Sequence, residues 1–216
     1  MTAESVCGRL LSSELSGMKN MQRLLATMAI GLAMIASLGT PASAEKVDVS
    51  AVSCSQLIES ISSGTENDKS GMGGILYWIA GYTNTEEQGS VVDFDALGKD
   101  FDKILAACKA QPKLGLLTVS NRHLGENGTE HGAEAIDLAT MTCKGAISTP
   151  KSDEEGLGFI LMWIAGYHAS DAENKIFDTD EFVADMEKIG EYCGNNPTIG
   201  LLTASEEIMG KDDDSE

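Results

Sequence analysis

Shifted by 85 residues against itself, the chain aligns 71–118 with 156–203 without a gap, and 20 of the 48 positions are identical. Ordinary composition would give about three by chance. The strongest block is Trp78-Ile79-Ala80-Gly81-Tyr82 against Trp163-Ile164-Ala165-Gly166-Tyr167; Cys108 and Cys193 follow 26 residues later in each copy, then Pro112 and Pro197, then Gly-Leu-Leu-Thr. A duplication of this kind restricts the fold to two copies of one small unit. Each copy has one early and one late cysteine. Four cysteines after residue 44 allow three pairings, and the repeat selects Cys54 with Cys108 and Cys143 with Cys193, so that each copy closes on itself. The alternative of a zinc site lacks both CxxC spacing and neighbouring histidines.

Within a copy the apolar spacing is helical. Cys54, Leu57, Ile58 and Ile61 fall at i, i+3, i+4 and i+7, as do Met72, Ile75, Leu76 and Ile79. Leu97, Phe101, Ile104, Leu105 and Cys108 continue the pattern, matched in the second copy by Phe182, Met186, Ile189 and Cys193. Asp93 and Asp95, with Asp178 and Asp180, stand where a helix begins and suit N-capping. The Asp93 stretch also opens like a calcium loop, but position five is Leu97 and position twelve is Ile104, so capping is the better reading. A short fourth helix is predicted after Pro112 and Pro197. No run of alternating β-branched residues stands out. The expected fold is therefore all-α: two tandem small helical bundles, each stapled by one disulfide, over 45–119 and 139–209. Residues 120–138 are predicted to be a linker and 210–216 an acidic tail.

The first 44 residues read as a leader. Lys19 and Arg23 precede an apolar run over 24–38, and Ala42-Ser43-Ala44 forms a small-residue cleavage site, which together predict a cleaved secretory signal and export. Met18, followed by Lys19, is the better translation start. An even number of cysteines beyond the cleavage site suits an oxidising compartment. From residue 45 onward, 12 Lys and Arg face 32 Asp and Glu, a formal charge of −20. Such a surface repels phosphate and anionic lipid, which argues against nucleic-acid and membrane-surface partners.

Catalytic groups are scarce. His123 and His131 lie in the predicted linker, and His168 stands where the first copy has Thr83, a poor position for a shared reaction centre. No enzyme, metal or cofactor is expected. Asn127-Gly128-Thr129 fits a glycosylation sequon. The repeated aromatic helix is more informative. Ile75, Trp78, Ile79 and Tyr82, with Ile160, Trp163, Ile164 and Tyr167, make it apolar over more than one face, whereas a four-helix unit needs only one buried stripe per helix. Either the helix simply forms the core of its own copy, or the surplus packs against the other copy or a client protein.

The sequence resembles the HdeA/HdeB family of periplasmic acid-stress chaperones. The resemblance rests on Met141-Thr142-Cys143, the Trp163 helix, Asp178, and Ile189-Gly190-Glu191-Tyr192-Cys193-Gly194-Asn195-Asn196-Pro197 with Leu202-Thr203 behind it. In the first copy it rests on Cys54, Trp78 to Tyr82 and Ala107-Cys108-Lys109-Ala110-Gln111-Pro112. It implies small helical units with a single disulfide that pair at neutral pH, loosen in acid and bind unfolding periplasmic proteins without ATP. Two units share this chain, so the expected pairing is between the two repeats, or otherwise in a homo-oligomer. A rival reading is a periplasmic binding or immunity-type protein that sequesters one dedicated partner at neutral pH. Charge is compatible with an acid switch: below about pH 3 most carboxylates are neutral, and 12 cations with three His leave about +15.

Overall fold

Each repeat supplies four helices in the computed structural model, which describes residues 46–84, 89–124, 132, 135–148, 154–171 and 173–210. The leader, His131, the sequon and the tail beyond Gly210 lie outside the described residues. The first repeat contributes α1 (Cys54–Ser63), α2 (Glu66–Tyr82), α3 (Phe94–Ala110) and α4 (Leu116–His123); the second contributes α5 (Cys143–Ile147), α6 (Glu154–Asp171), α7 (Thr179–Asn195) and α8 (Leu201–Met209).

Local chemistry sets the helix starts. Ser53 and Gln56 form a reciprocal capping box on α1, and Thr65 and Asp68 do the same on α2. Asp93 accepts from the Ala96 amide at the head of α3, and Asp178 accepts from the Asp180 and Glu181 amides at the head of α7, the capping expected from the sequence. Pro112 and Pro197 each open a turn, and the fourth helices begin four residues later, behind Gly115 and Gly200.

The disulfides pair as the repeat requires. Cys54 joins Cys108 and Cys143 joins Cys193, tying the first helix of each repeat to the end of its third. The chain entering that first helix also hydrogen-bonds to the segment before the fourth: Cys54 N donates to Leu114 O and Leu116 N to Val52 O, repeated as Cys143 N to Ile199 O and Leu201 N to Met141 O. A bundle of this size thus closes through a covalent tie, backbone bonds and an apolar interior that includes Leu57, Ile104 and Leu116 in one repeat, and Met186, Ile189 and Leu201 in the other.

Among the described residues there are also four short strands that the sequence does not announce. β1 (Lys46–Asp48) pairs antiparallel with β4 (Ile176–Asp178), and β2 (Val91–Val92) with β3 (Ile136–Asp137). At two or three residues each, they are too short for alternation to register in a sequence. Their partners are also far apart in the chain: the N-terminal strand of each repeat lies against the strand that precedes the third helix of the other repeat. Beyond each ribbon the next backbone bond repeats as well, Val49 N to Lys175 O and Leu138 N to Ser90 O, both 2.9 Å, with Val49 and Leu138 fully buried. The segment over 120–138 accordingly begins in α4 and ends in β3, so its described ends are built into the fold.

Candidate functional site

The two aromatic helices face each other. The repeats meet chiefly along α2 and α6, and backbone geometry fixes how closely. A Cβ placed on Gly81 would lie 1.9 Å from the Trp163 carbonyl oxygen and 2.9 Å from the Tyr167 nitrogen; one placed on Gly166 would lie 1.9 Å from the Trp78 oxygen and 2.9 Å from the Tyr82 nitrogen. Only glycine leaves room for such an approach, in which Cα–H groups of one helix can contact carbonyls of the other. The reciprocity of the distances shows that the crossing has a local two-fold character.

The sequence-predicted residues gather around this crossing. Ile75, Trp78, Ile79, Ile160, Trp163 and Ile164 are all at most 3% exposed, and Tyr82 and Tyr167 are partly buried against the core. Trp78 stacks on Tyr82 with ring centroids 5.1 Å apart, and Trp163 stacks on Tyr167 at 5.5 Å. These pairs are one turn apart on a helix, so each tryptophan is braced by its own helix. Trp78 also lines a cavity of about 420 Å³ with Ala165, Phe177 and Phe182 of the second repeat. Trp78 therefore borders the second repeat as well as its own.

Polar contacts border this apolar centre. Lys46 Nζ lies 2.9 Å from Asp178 Oδ2, linking β1 of one repeat to the cap of α7 in the other. The Lys46 ammonium holds the Asp178 carboxyl below the usual carboxylate range, assisted by the Glu181 and Asp180 amides and opposed by burial. On the second ribbon the Ser90 hydroxyl donates to Asp137 at 2.8 Å, and the Gly132 amide donates to Asp93 at 2.5 Å. Both capping aspartates are thus held by chain from the neighbourhood of the opposite ribbon strand.

Two further carboxylates are buried at equivalent positions. Asp100 and Asp185 are 3% and 4% exposed, and each accepts from a lysine one turn on, Lys103 at 2.9 Å and Lys188 at 2.7 Å. Both pairs were among the repeated identities but carry no signal of burial in a single sequence. Gly81 and Gly166 were legible in principle: a glycine kept in the middle of an apolar helix in both copies calls for a close-approach explanation.

His168 Nε2 is 2.9 Å from Ser205 Oγ, but that hydroxyl is fully buried and donates to Leu202 O at 2.7 Å. A hydroxyl enclosed in this way is unsuited to attack a substrate, and the pair serves to fasten α8 to α6. Among the described residues no helix is long and apolar enough to cross a membrane.

No curated protein and no solved structure matches the chain. The model of the HdeA/HdeB family matches it twice, over residues 24–118 and 122–203, one match for each repeat and together most of the sequence. The chain therefore belongs to the HdeA/HdeB family, with two copies of the family unit in tandem.

Proposed function

We propose that the protein is an ATP-independent periplasmic acid-stress chaperone, a holdase that binds acid-unfolded proteins and limits their aggregation. Family membership over both repeats supports this reading at family level. The observation that carries it to the chain itself is the α2–α6 crossing, where the largest repeated apolar and aromatic surface is enclosed between two units held by one tether. While the repeats are packed, clients have no access to Trp78, Ile79, Trp163 or Ile164.

Opening in acid supplies the access. Asp178 illustrates the sign of the linkage: its carboxyl is held below its ordinary pKa, so the stability it contributes is present at neutral pH and is lost as pH falls through the folded value. The wider charge reversal from −20 to about +15 acts in the same direction over roughly pH 2 to 4. Each half stays stapled by its disulfide, so the apolar helix face is presented on a folded unit. Client complexes formed there are cationic and repel one another.

The test is light scattering of acid-labile clients at pH 2 to 3 and at pH 7, with and without the protein. The proposal requires suppression of aggregation for several unrelated clients in acid and little at neutral pH. Suppression absent in acid, with one partner captured at pH 7, would replace the holdase by the dedicated binding protein.

A further inference from the structure

The local two-fold at the α2–α6 crossing is broken most in side-chain size at one place, and the break is complementary. Positions 74 and 77 of α2 correspond to 159 and 162 of α6 in the repeat alignment, yet they hold Gly74 and Tyr77 against Phe159 and Met162. Across the crossing these residues interlock. Phe159 carbons lie 3.6 and 3.9 Å from where a Cβ on Gly73 would be, and the Phe159 ring stacks on Tyr77 with centroids 4.5 Å apart and 19° between planes. Met162 Cε lies 3.2 Å from where a Cβ on Gly74 would be. Tyr77 is supported from behind by Phe101 at 5.1 Å and Phe94 at 5.7 Å, both in the first repeat. The second repeat has Met186 and Thr179 at the matching positions.

We propose that the two repeats have become unlike partners: α2 carries the recess and α6 the protrusion, so each half docks on the unlike half and not on its own kind. In a like pairing of two α6 faces, Phe159 would take the place of Gly74 beneath Met162, where space for even one extra methyl is tight. In a like pairing of two α2 faces, the Phe159 ring would be missing from above Gly73 on both sides. Close-packed interiors penalise both the overfilled and the underfilled arrangement. The partner of each face is thus the other half of this chain, and another chain can engage it only by exchanging unlike halves.

The test keeps the full chain at pH 7 and reads urea unfolding by circular dichroism, with no client present, so its outcome is separate from that of the chaperone assay. G74F/Y77M gives both repeats the α6 face, and F159G/M162Y gives both the α2 face. Each like-faced variant should lose at least tenfold in folding constant, a midpoint lower by on the order of 0.5 M. Combining all four substitutions exchanges the faces and should recover at least half of the lost shift. Like-faced variants as stable as the parent, or an exchanged variant no better than the like-faced ones, would overturn the proposal. If a like-faced variant does not fold, the smaller cycle of G74L and M162A decides. Gly74→Leu should lower the midpoint in the parent and raise it in the Met162→Ala background; the same effect in both backgrounds would refute the complementarity.

Discussion

Replacing Gly81 by alanine adds one methyl group at the point where α2 and α6 touch. That carbon would stand 1.9 Å from a backbone oxygen, and the Trp163 carbonyl has no rotamer by which to withdraw. Reaching ordinary van der Waals contact near 3.4 Å requires the helices to part by about 1.5 Å, a gap that forfeits at least a quarter to a half of the dispersion energy along the crossing. Against this stands the helix-propensity gain of Gly→Ala, about 1 kcal/mol. Overpacking against rigid backbone outweighs it, and we expect a net loss of about 2 to 4 kcal/mol, seen as a melting temperature lower by about 5 to 12 °C in a chain of this length. Gly166→Ala meets the Trp78 oxygen at the same 1.9 Å and should cost a similar amount. The double variant should lose less than the sum, because helices already parted by one methyl admit the second. Gly98→Ala is the control: it lies exposed on α3 with nothing within 4 Å of the added carbon, and should be neutral or mildly stabilising. Thermal unfolding followed by circular dichroism measures all four. If Gly81→Ala behaves like Gly98→Ala, the glycine-mediated crossing is wrong.

Other expectations follow from the same geometry. Asp178→Ala removes the cap of α7 and the partner of Lys46, and should destabilise the protein by about 1 kcal/mol at pH 7. The difference from the parent should shrink as pH falls through the depressed folded value of the native carboxyl, as urea midpoints across pH would reveal. Reducing the bridges, whose loops span 54 and 50 residues, should cost on the order of 4 kcal/mol each on the chain-entropy account, read as unfolding midpoints with and without reductant. Lys188→Ala leaves the buried Asp185 short of a charged partner and should cost about 1 to 2 kcal/mol, whereas Lys69→Ala, which breaks an exposed pair with Glu66, should change stability by less than about 0.5 kcal/mol.

Helices, disulfide pairing and caps were legible because each is written locally or twice. Leu57, Ile104 and Ile189 repeat at helical spacing, Asp93 and Asp178 stand at the helix starts, and the repeat leaves each cysteine one partner within its own copy. The surplus of apolar surface on the Trp78 and Trp163 helices was also legible, as a demand for some covering surface. What covers it was not, because that contact depends on three-dimensional opposition: Gly81 is explained only by the Trp163 carbonyl, and Gly74 only by Met162. The ribbons escaped notice for the same reason. Val91 and Val92 gain meaning as a strand from Ile136 and Asp137, which lie over 40 residues away and in the other repeat. Burial of Asp100 and Asp185 was hidden because a carboxylate three residues before a lysine looks like any solvated helix pair.

The proposed chaperone requires the two repeats to form a tethered pair that opens in acid. The only two tryptophans, Trp78 and Trp163, are 1% and 3% exposed at the crossing and report directly on it. Tryptophan emission and binding of an apolar dye should be followed from pH 7 to pH 2 at two protein concentrations about a hundredfold apart. A tether gives an effective concentration around millimolar, so a red shift with increased dye binding is expected at one midpoint common to both concentrations. Emission that stays unshifted to pH 2, or a midpoint that moves strongly with protein concentration, would contradict it.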